Sequence, residues 1–273
     1  MRFLYNMSKY TMRALMGAAL LGTAASLVFV GGSTAEAEVK VLDEAAVVDI
    51  LRAEIARDPG FILEALNKHM ERQQAQERER YDNMVVDARA EIAASEGRPF
   101  IGAENPTVEL VYFFDVNCGY CKRLEPSIRR VVEENKDVRI SHREIPILAE
   151  SSRSAALLAN IVWQMFPEKY TSLHEKLIDH QGALNDEIIE VKLTEVLGAA
   201  DAARVLGEAS NINSDFVKNA TAAVQENLAL AEKAGITGTP FVYVLQGDGL
   251  MRGAAENAYE QLTAFIEVGR QAK

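Results

Sequence analysis

Apolar residues recur at helical spacing after residue 38. Val47, Val48, Leu51 and Ile55 form one stripe. Asp58-Pro59 interrupts it, and a second stripe follows with Phe61, Ile62, Ala65, Leu66 and Met70. Glu71 to Arg80 is almost wholly polar, after which Tyr81, Met84, Val85, Ala88 and Ile92 resume the spacing. The pattern predicts a helical arm over 38–97. Such a segment has too little apolar surface to fold alone. It must pack on another chain, pack on the rest of the protein, or project as a stalk. Oligomerisation is the favoured expectation and a plain helical linker the alternative, since the polar middle weakens a coiled coil.

The pattern changes after Gly97. Pro99, Gly102 and Pro106 punctuate the entry to a new region. Thr107 to Asp115 is apolar at nearly every position, as in a central strand covered on both faces. Cys118 to Glu134 reads as a helix, and Val138 to Ile145 as a second strand, parallel to the first through a crossover. A helical block follows, over Ser151–Phe166, Glu168–His180, Asn185–Leu197 and Phe216–Gly235. Thr239-Pro240 then introduces a short strand, Phe241 to Leu245. Gly247-Asp248-Gly249 makes a turn, Leu250 to Gly253 a further strand, and Ala255 to Gln271 a closing helix. The order β, α, β, helical block, β, β, α predicts an α/β fold. The sequence carries no internal repeat, low-complexity tract or phosphate-binding glycine loop.

The first 37 residues read as a targeting segment. Arg2, Lys9 and Arg13 precede an apolar run from Ala14 to Val30, and Ala35-Glu36-Ala37 has the form of a cleavage site. This predicts a secretory signal peptide over 1–37 and a periplasmic location, with an uncleaved membrane anchor as the alternative. No cysteine follows the apolar run, which argues against a lipoprotein. The formal net charge is −11, and removing 1–37 leaves 26 basic against 39 acidic residues. That balance argues against nucleic acid and anionic membrane surfaces as partners.

The chain has two cysteines, in Cys118-Gly119-Tyr120-Cys121 at a strand-to-helix junction. A structural disulfide there would close a very small loop and remove little unfolded-state entropy. A closed zinc site needs about four ligands, and His69, His142, His174 and His180 show no paired spacing. No metal site and no cofactor are expected. Thiol–disulfide exchange is the favoured reading, with a structural disulfide and a metal site as the alternatives.

Phe114-Asp115-Val116-Asn117-Cys118-Gly119-Tyr120-Cys121-Lys122 resembles the active-site segment of thioredoxin-fold disulfide oxidoreductases. Gly238-Thr239-Pro240-Phe241 resembles their cis-proline loop. The helical block is similar to the insertion of DsbA-type proteins, and Glu144-Ile145-Pro146-Ile147-Leu148 resembles a loop of the exported members. The arm is similar to that of ScsC-like proteins, some of which oligomerise through it. The resemblance implies a thioredoxin fold over 98–273 with an inserted helical domain at about 149–235, preceded by an α-helical N-terminal arm. It implies catalysis by Cys118, Cys121 and Pro240, and substrate contact by Thr239, Gly119 and Tyr120.

Physically, Cys118 at the first turn of a helix is the nucleophile, because free N–H groups and the dipole stabilise its thiolate. Cys121, one turn on and facing inward, resolves the mixed disulfide. Pro126 inside the helix is expected to kink or shorten it and leave Cys118 exposed. A cis bond before Pro240 would free the Thr239 backbone to pair with an extended substrate. One position departs from the family. DsbA-type members often carry a buried glutamate where this chain has Tyr112, and Glu144 is the substitute expected for its proton relay. Trp163, among Leu157, Leu158, Ile161 and Val162, is expected to be helix packing.

The favoured function is disulfide isomerase or reductase, with a DsbA-type oxidase as the alternative. A non-catalytic chaperone or Cu(I)-binding protein on the same fold is a further reading, since thiolates are soft ligands. The expected partners are cysteine-containing exported proteins, a membrane thiol–disulfide redox partner and other copies of this chain through residues 38–97.

Overall fold

The computed structural model describes residues 43–94, 97–247 and 249–272. The signal peptide expected over 1–37 lies outside them. The chain divides into two units, residues 1–62 and 63–273. Among the described residues no helix is long and apolar enough to cross a membrane.

The first unit holds α1 (Glu44–Arg57) and the start of α2 (Gly60–Asp87). Asp43 caps α1 by accepting from the Ala46 N–H at 2.7 Å, as an N-cap carboxylate does. Asp58 and Pro59 separate the two helices, and α2 then runs unbroken through the polar stretch Glu71–Arg80. No residue of α1 is buried. Val47, Leu51 and Ile55 are exposed, as are Phe61 and Ile62.

The second unit is built on five strands in the order β1-β3-β2-β4-β5. They are β1 (Phe100–Gly102), β2 (Val108–Phe114), β3 (Val138–Glu144), β4 (Phe241–Val244) and β5 (Leu250–Arg252). β2 and β3 are parallel, joined through α4 (Gly119–Glu134), and the other neighbours are antiparallel. Every residue of β2 is buried, because both faces of the sheet are covered. Leu110, Tyr112 and Phe114 face α4, the closing helix α10 (Ala258–Gln271) and the inserted helices. The insertion comprises α5 (Glu150–Met165), a 3-10 turn, α6 (Tyr170–Ile178), α7 (Asp186–Leu197), α8 (Ala199–Ala209) and α9 (Asp215–Lys233).

The opposite face is covered by the end of the arm. Val111, Phe113, Phe241 and Tyr243 pack with Val85 of α2, with Ala88 and with Ile92 of α3 (Arg89–Ile92), and with Leu230 and Ala231 of α9. Gly235 follows α9 with φ near 63°, and a Cβ there would lie 2.7 Å from the Tyr81 ring. Arg143 of β3 fastens the end of the arm from beneath. It donates to the carbonyls of Ala94 at 2.5 Å and Ile92 at 3.3 Å, and to the Asn227 side chain at 3.3 Å. The last turns of the arm are therefore core of the second unit, which begins at residue 63.

Two elements were not expected from the sequence. β1 is only three residues long and sits among glycine and proline. It pairs with β3, and Gly102 is required because a Cβ there would meet the Val138 carbonyl oxygen at 2.3 Å. α8 follows Gly198, whose φ of 78° separates it from α7. Trp163 packs edge-on to Phe100 and Tyr170, in keeping with a packing role.

Deleting residues 38–62 should leave the second unit folded. Extending the deletion to residue 97 removes fully buried Val85, Ala88 and Ile92 and should cost on the order of 5 kcal/mol. Urea unfolding of both truncations measures the difference; equal midpoints would mean that the arm's end is not core.

Candidate active site

The site forms where β2 ends. The chain leaves the sheet at Asp115, turns through Val116 and Asn117, and enters α4 with Cys118 as its N-cap. The Cys118 N–H donates to the Asp115 carbonyl at 2.9 Å, and the Cys118 carbonyl accepts from the Lys122 N–H at 3.0 Å.

Asp115 is fully buried, and its carboxylate joins three segments through four hydrogen bonds. Oδ1 accepts from the Asn117 N–H and the Ser152 hydroxyl, both at 2.8 Å. Oδ2 accepts from the N–H groups of Ile147 at 2.9 Å and Leu148 at 3.0 Å. Asn117 extends the junction. Its amide donates to Ser151 and Ser152 of α5, and its Oδ1 accepts from the Leu184 N–H at 2.7 Å. On the other side of the cysteines, Lys122 Nζ donates to the carbonyls of His180 at 2.5 Å and Gly182 at 2.7 Å. The insertion therefore grips the cysteine turn from both ends.

The Thr239–Pro240 bond is cis, and the Cys118 sulfur lies 3.3 Å from the Thr239 carbonyl oxygen. The Pro240 carbonyl accepts from the Gly253 N–H at 2.9 Å. Sequence separation between Cys118 and Thr239 is thus closed by the antiparallel pairing of β2 with β4. Gly119 and Tyr120 are exposed, and the Arg123 guanidinium lies 4.1 Å over the Tyr120 ring.

Cys118 departs from expectation in exposure. It is 6 % exposed rather than open, because the Thr239 loop crowds its sulfur. Cys121 is fully buried, as expected of the inner cysteine. The two thiols are free and differ strongly in acidity. The Cys121 thiol, Thr239 and the backbone N–H groups of Cys121 and Tyr120 pull Cys118 down to about 5, against an opposing push from burial. Burial pushes the Cys121 thiol far up, and its bond to Cys118 adds to the rise. One sulfur is held as a thiolate and the other as a thiol, which is the asymmetry sequential exchange needs.

Glu144, at the end of β3, is buried beside Phe114 in the strand register. Burial, and then the charge of Asp115, raise its pKa well above the usual carboxylate range, so it holds a proton. Pro126 lies within α4, which runs on to Glu134 without a break.

The roles of Asp115, Asn117 and Lys122 were not drawn from the sequence. A signal for Asp115 was present, as a carboxylate closing a run of seven apolar-rich strand residues. A buried polar cluster was also missed. His142 Nδ1 lies 2.8 Å from the Tyr170 hydroxyl, His174 Nε2 lies 3.2 Å from Glu125 Oε1, and the imidazole centroids are 4.4 Å apart. Its mark in the sequence is Ser141-His142-Arg143-Glu144, polar residues in a strand that is otherwise core. Among the described residues no group of three or more His, Cys, Asp or Glu side chains is arranged to hold a metal.

Residues 109–263 match the model of the DSBA-like thioredoxin domain. The catalytic domain of Proteus mirabilis ScsC is 26 % identical, with a TM-score of 0.59, covering 70 % of this chain and 98 % of that domain. A periplasmic thioredoxin-like protein from Salmonella enterica serovar Typhimurium is 30 % identical, with a TM-score of 0.55, covering 66 % of this chain and 96 % of that one. Disulfide bond formation protein D of Bacillus subtilis (strain 168) is 28 % identical over 175 residues, which are 63 % of this chain and 76 % of that protein. With the matched domain spanning more than half its length, the chain belongs to the DsbA-like thioredoxin family and is a thiol–disulfide oxidoreductase of that type.

Proposed function

We propose that Cys118 and Cys121 are the redox-active pair, and that the protein acts as a disulfide isomerase or reductase on cysteine-containing exported proteins. The observation that carries the pair is the split between the sulfurs, with Cys118 drawn down to about 5 beside the cis-proline loop and Cys121 buried behind it. Cys118 attacks a substrate disulfide, and Cys121 displaces the substrate from the mixed disulfide. Thr239, Gly119 and Tyr120 are the substrate-contacting surface. The exposed apolar side chains of Tyr120, Ile147 and Leu148 suit an unfolded polypeptide rather than a small polar thiol. Glu144, neutral and buried, is a candidate proton relay behind the turn.

The isomerase direction is supported by the exposed apolar faces of α1 and of α2. Faces of this kind call for cover, and further copies of the chain would supply it through residues 38–62. Several sites in one assembly would then hold a misbridged substrate while one attacks. A stabilised thiolate also favours the reduced pair, which an isomerase needs. The same stabilisation makes the disulfide a ready donor when oxidised, so oxidase with a membrane partner that recharges it is the second reading. The periplasm is the proposed compartment, from the leader-like segment and the periplasmic relative.

Three measurements test this. Alkylation of Cys118 in the reduced protein should titrate with a midpoint near pH 5. An ordinary cysteine titrates near about 8.5, and a midpoint there would remove the activated thiolate. Because the folded pKa is depressed, the thiolate's contribution to the reduced form is present above the unfolded cysteine pKa and is lost as pH falls through about 5. Refolding of a scrambled-disulfide substrate should exceed reoxidation of a reduced one, and Cys118→Ser should abolish both; the opposite ranking selects the oxidase. Light scattering should report more than one copy for the chain from residue 38 and a monomer after deletion of 38–62, whereas a monomer in both removes the assembly argument.

A further inference from the structure

Tyr112 fills a position where phenylalanine would complete the same apolar strand. Its neighbours in β2 are Phe113 and Phe114, and it lies on the face of the sheet that α4 and Cys121 cover. Its ring is fixed, stacked on Phe114 at 5.0 Å and edge-on to His142 at 5.9 Å. It is fully buried, and its hydroxyl has no hydrogen-bond partner in the resting protein. A buried hydroxyl left that way is costly, so its retention calls for a reason. Cys121 is buried in the same cluster, and its sulfur acts on the Tyr112 phenol.

We infer that Tyr112 is a catalytic residue of the exchange, its hydroxyl donating to the Cys121 sulfur as that sulfur becomes negative. This rests on the assignment of Cys118 and Cys121 as the reacting pair. In the reductive direction the Cys118 thiolate attacks R–S–S–R′, the S–S bond breaks, and R′S⁻ leaves and takes up a proton. Cys121 then attacks the Cys118 sulfur, the Cys118–Cys121 bond forms, and RS⁻ leaves with the proton that Cys121 gives up. The protein dithiol is oxidised by two electrons and the substrate disulfide reduced.

The second step needs negative charge on a sulfur that burial holds as a thiol. A donor aimed at it lowers that barrier. Tyr112 is suited to donate rather than to act as a base, because burial, and then the charges of Cys121 and Glu125, keep its proton in place well above the usual phenol range. Of the surrounding groups, Glu125 and His142 each have one polar atom engaged and one, Oε2 and Nε2, without a partner. Glu125 of α4 faces His174 and Arg129, and His142 of β3 faces Tyr170.

The test is Tyr112→Phe, which keeps the ring and removes the hydroxyl. A peptide disulfide is mixed with reduced full-length protein, the reaction is quenched with acid, and the Cys118 adduct is followed by mass spectrometry. Formation of the adduct should be unchanged, and its resolution by Cys121 should slow about ten-fold or more. The ratio of the two rates within one protein is independent of the folded fraction, so lost stability alone would not move it. An unchanged ratio overturns the role of Tyr112 and leaves the redox pair standing if Cys121→Ala traps the adduct. No adduct in Cys121→Ala overturns the pair, and the role of Tyr112 with it.

Discussion

The Asp115 carboxylate is the contact on which the arrangement of the site depends. Its four hydrogen bonds reach the cysteine turn, the loop after β3 and the first turn of α5. The first two are irregular and offer the N–H groups of Asn117, Ile147 and Leu148, which need an acceptor, and the third offers the Ser152 hydroxyl. One acid serves three segments at once. Through Asn117 and Lys122 the same junction takes in the loop from His180 to Leu184. The insertion is thus part of the wall that sets where Cys118 stands, and not an appendage to a finished thioredoxin core.

The electrostatics of the two sulfurs follow from that placement. Cys118 meets the open end of α4, the Thr239 loop and the neighbouring thiol. Cys121 meets β2 and the buried side of the helix. The separation of three residues converts one helical turn into a boundary between a polar rim and a dry interior. Glu144, Tyr112 and His142 then line the interior side with groups whose charged forms burial disfavours.

The central elements were legible because their signals are local. Seven apolar-rich residues marked β2, the paired cysteines marked the head of α4, and Thr239-Pro240 marked the start of β4. The parallel pairing of β2 and β3 followed from the crossover rule. What escaped depends on distant partners. β1 is too short to show a period and exists because β3 offers it an edge. The burial of Val85, Ala88 and Ile92 could not be read from helical spacing, which gives the stripe and not what covers it. The exposure of Cys118 was misjudged for the same reason, since the group that covers it lies far along the chain.

The docking of the arm's end has a consequence for how the chain is made. Val85, Ala88 and Ile92 emerge from the ribosome well before Phe241 and Tyr243, the strand residues they pack on. Until β4 is synthesised, β2 also lacks its antiparallel neighbour and the cysteine turn lacks the loop that covers it. Long-range closure of this kind is slow and leaves apolar surface waiting. The nascent protein therefore carries its own two thiols uncovered from their synthesis until Thr239 and β4 follow near the end of the chain, and becomes a selective reagent only then.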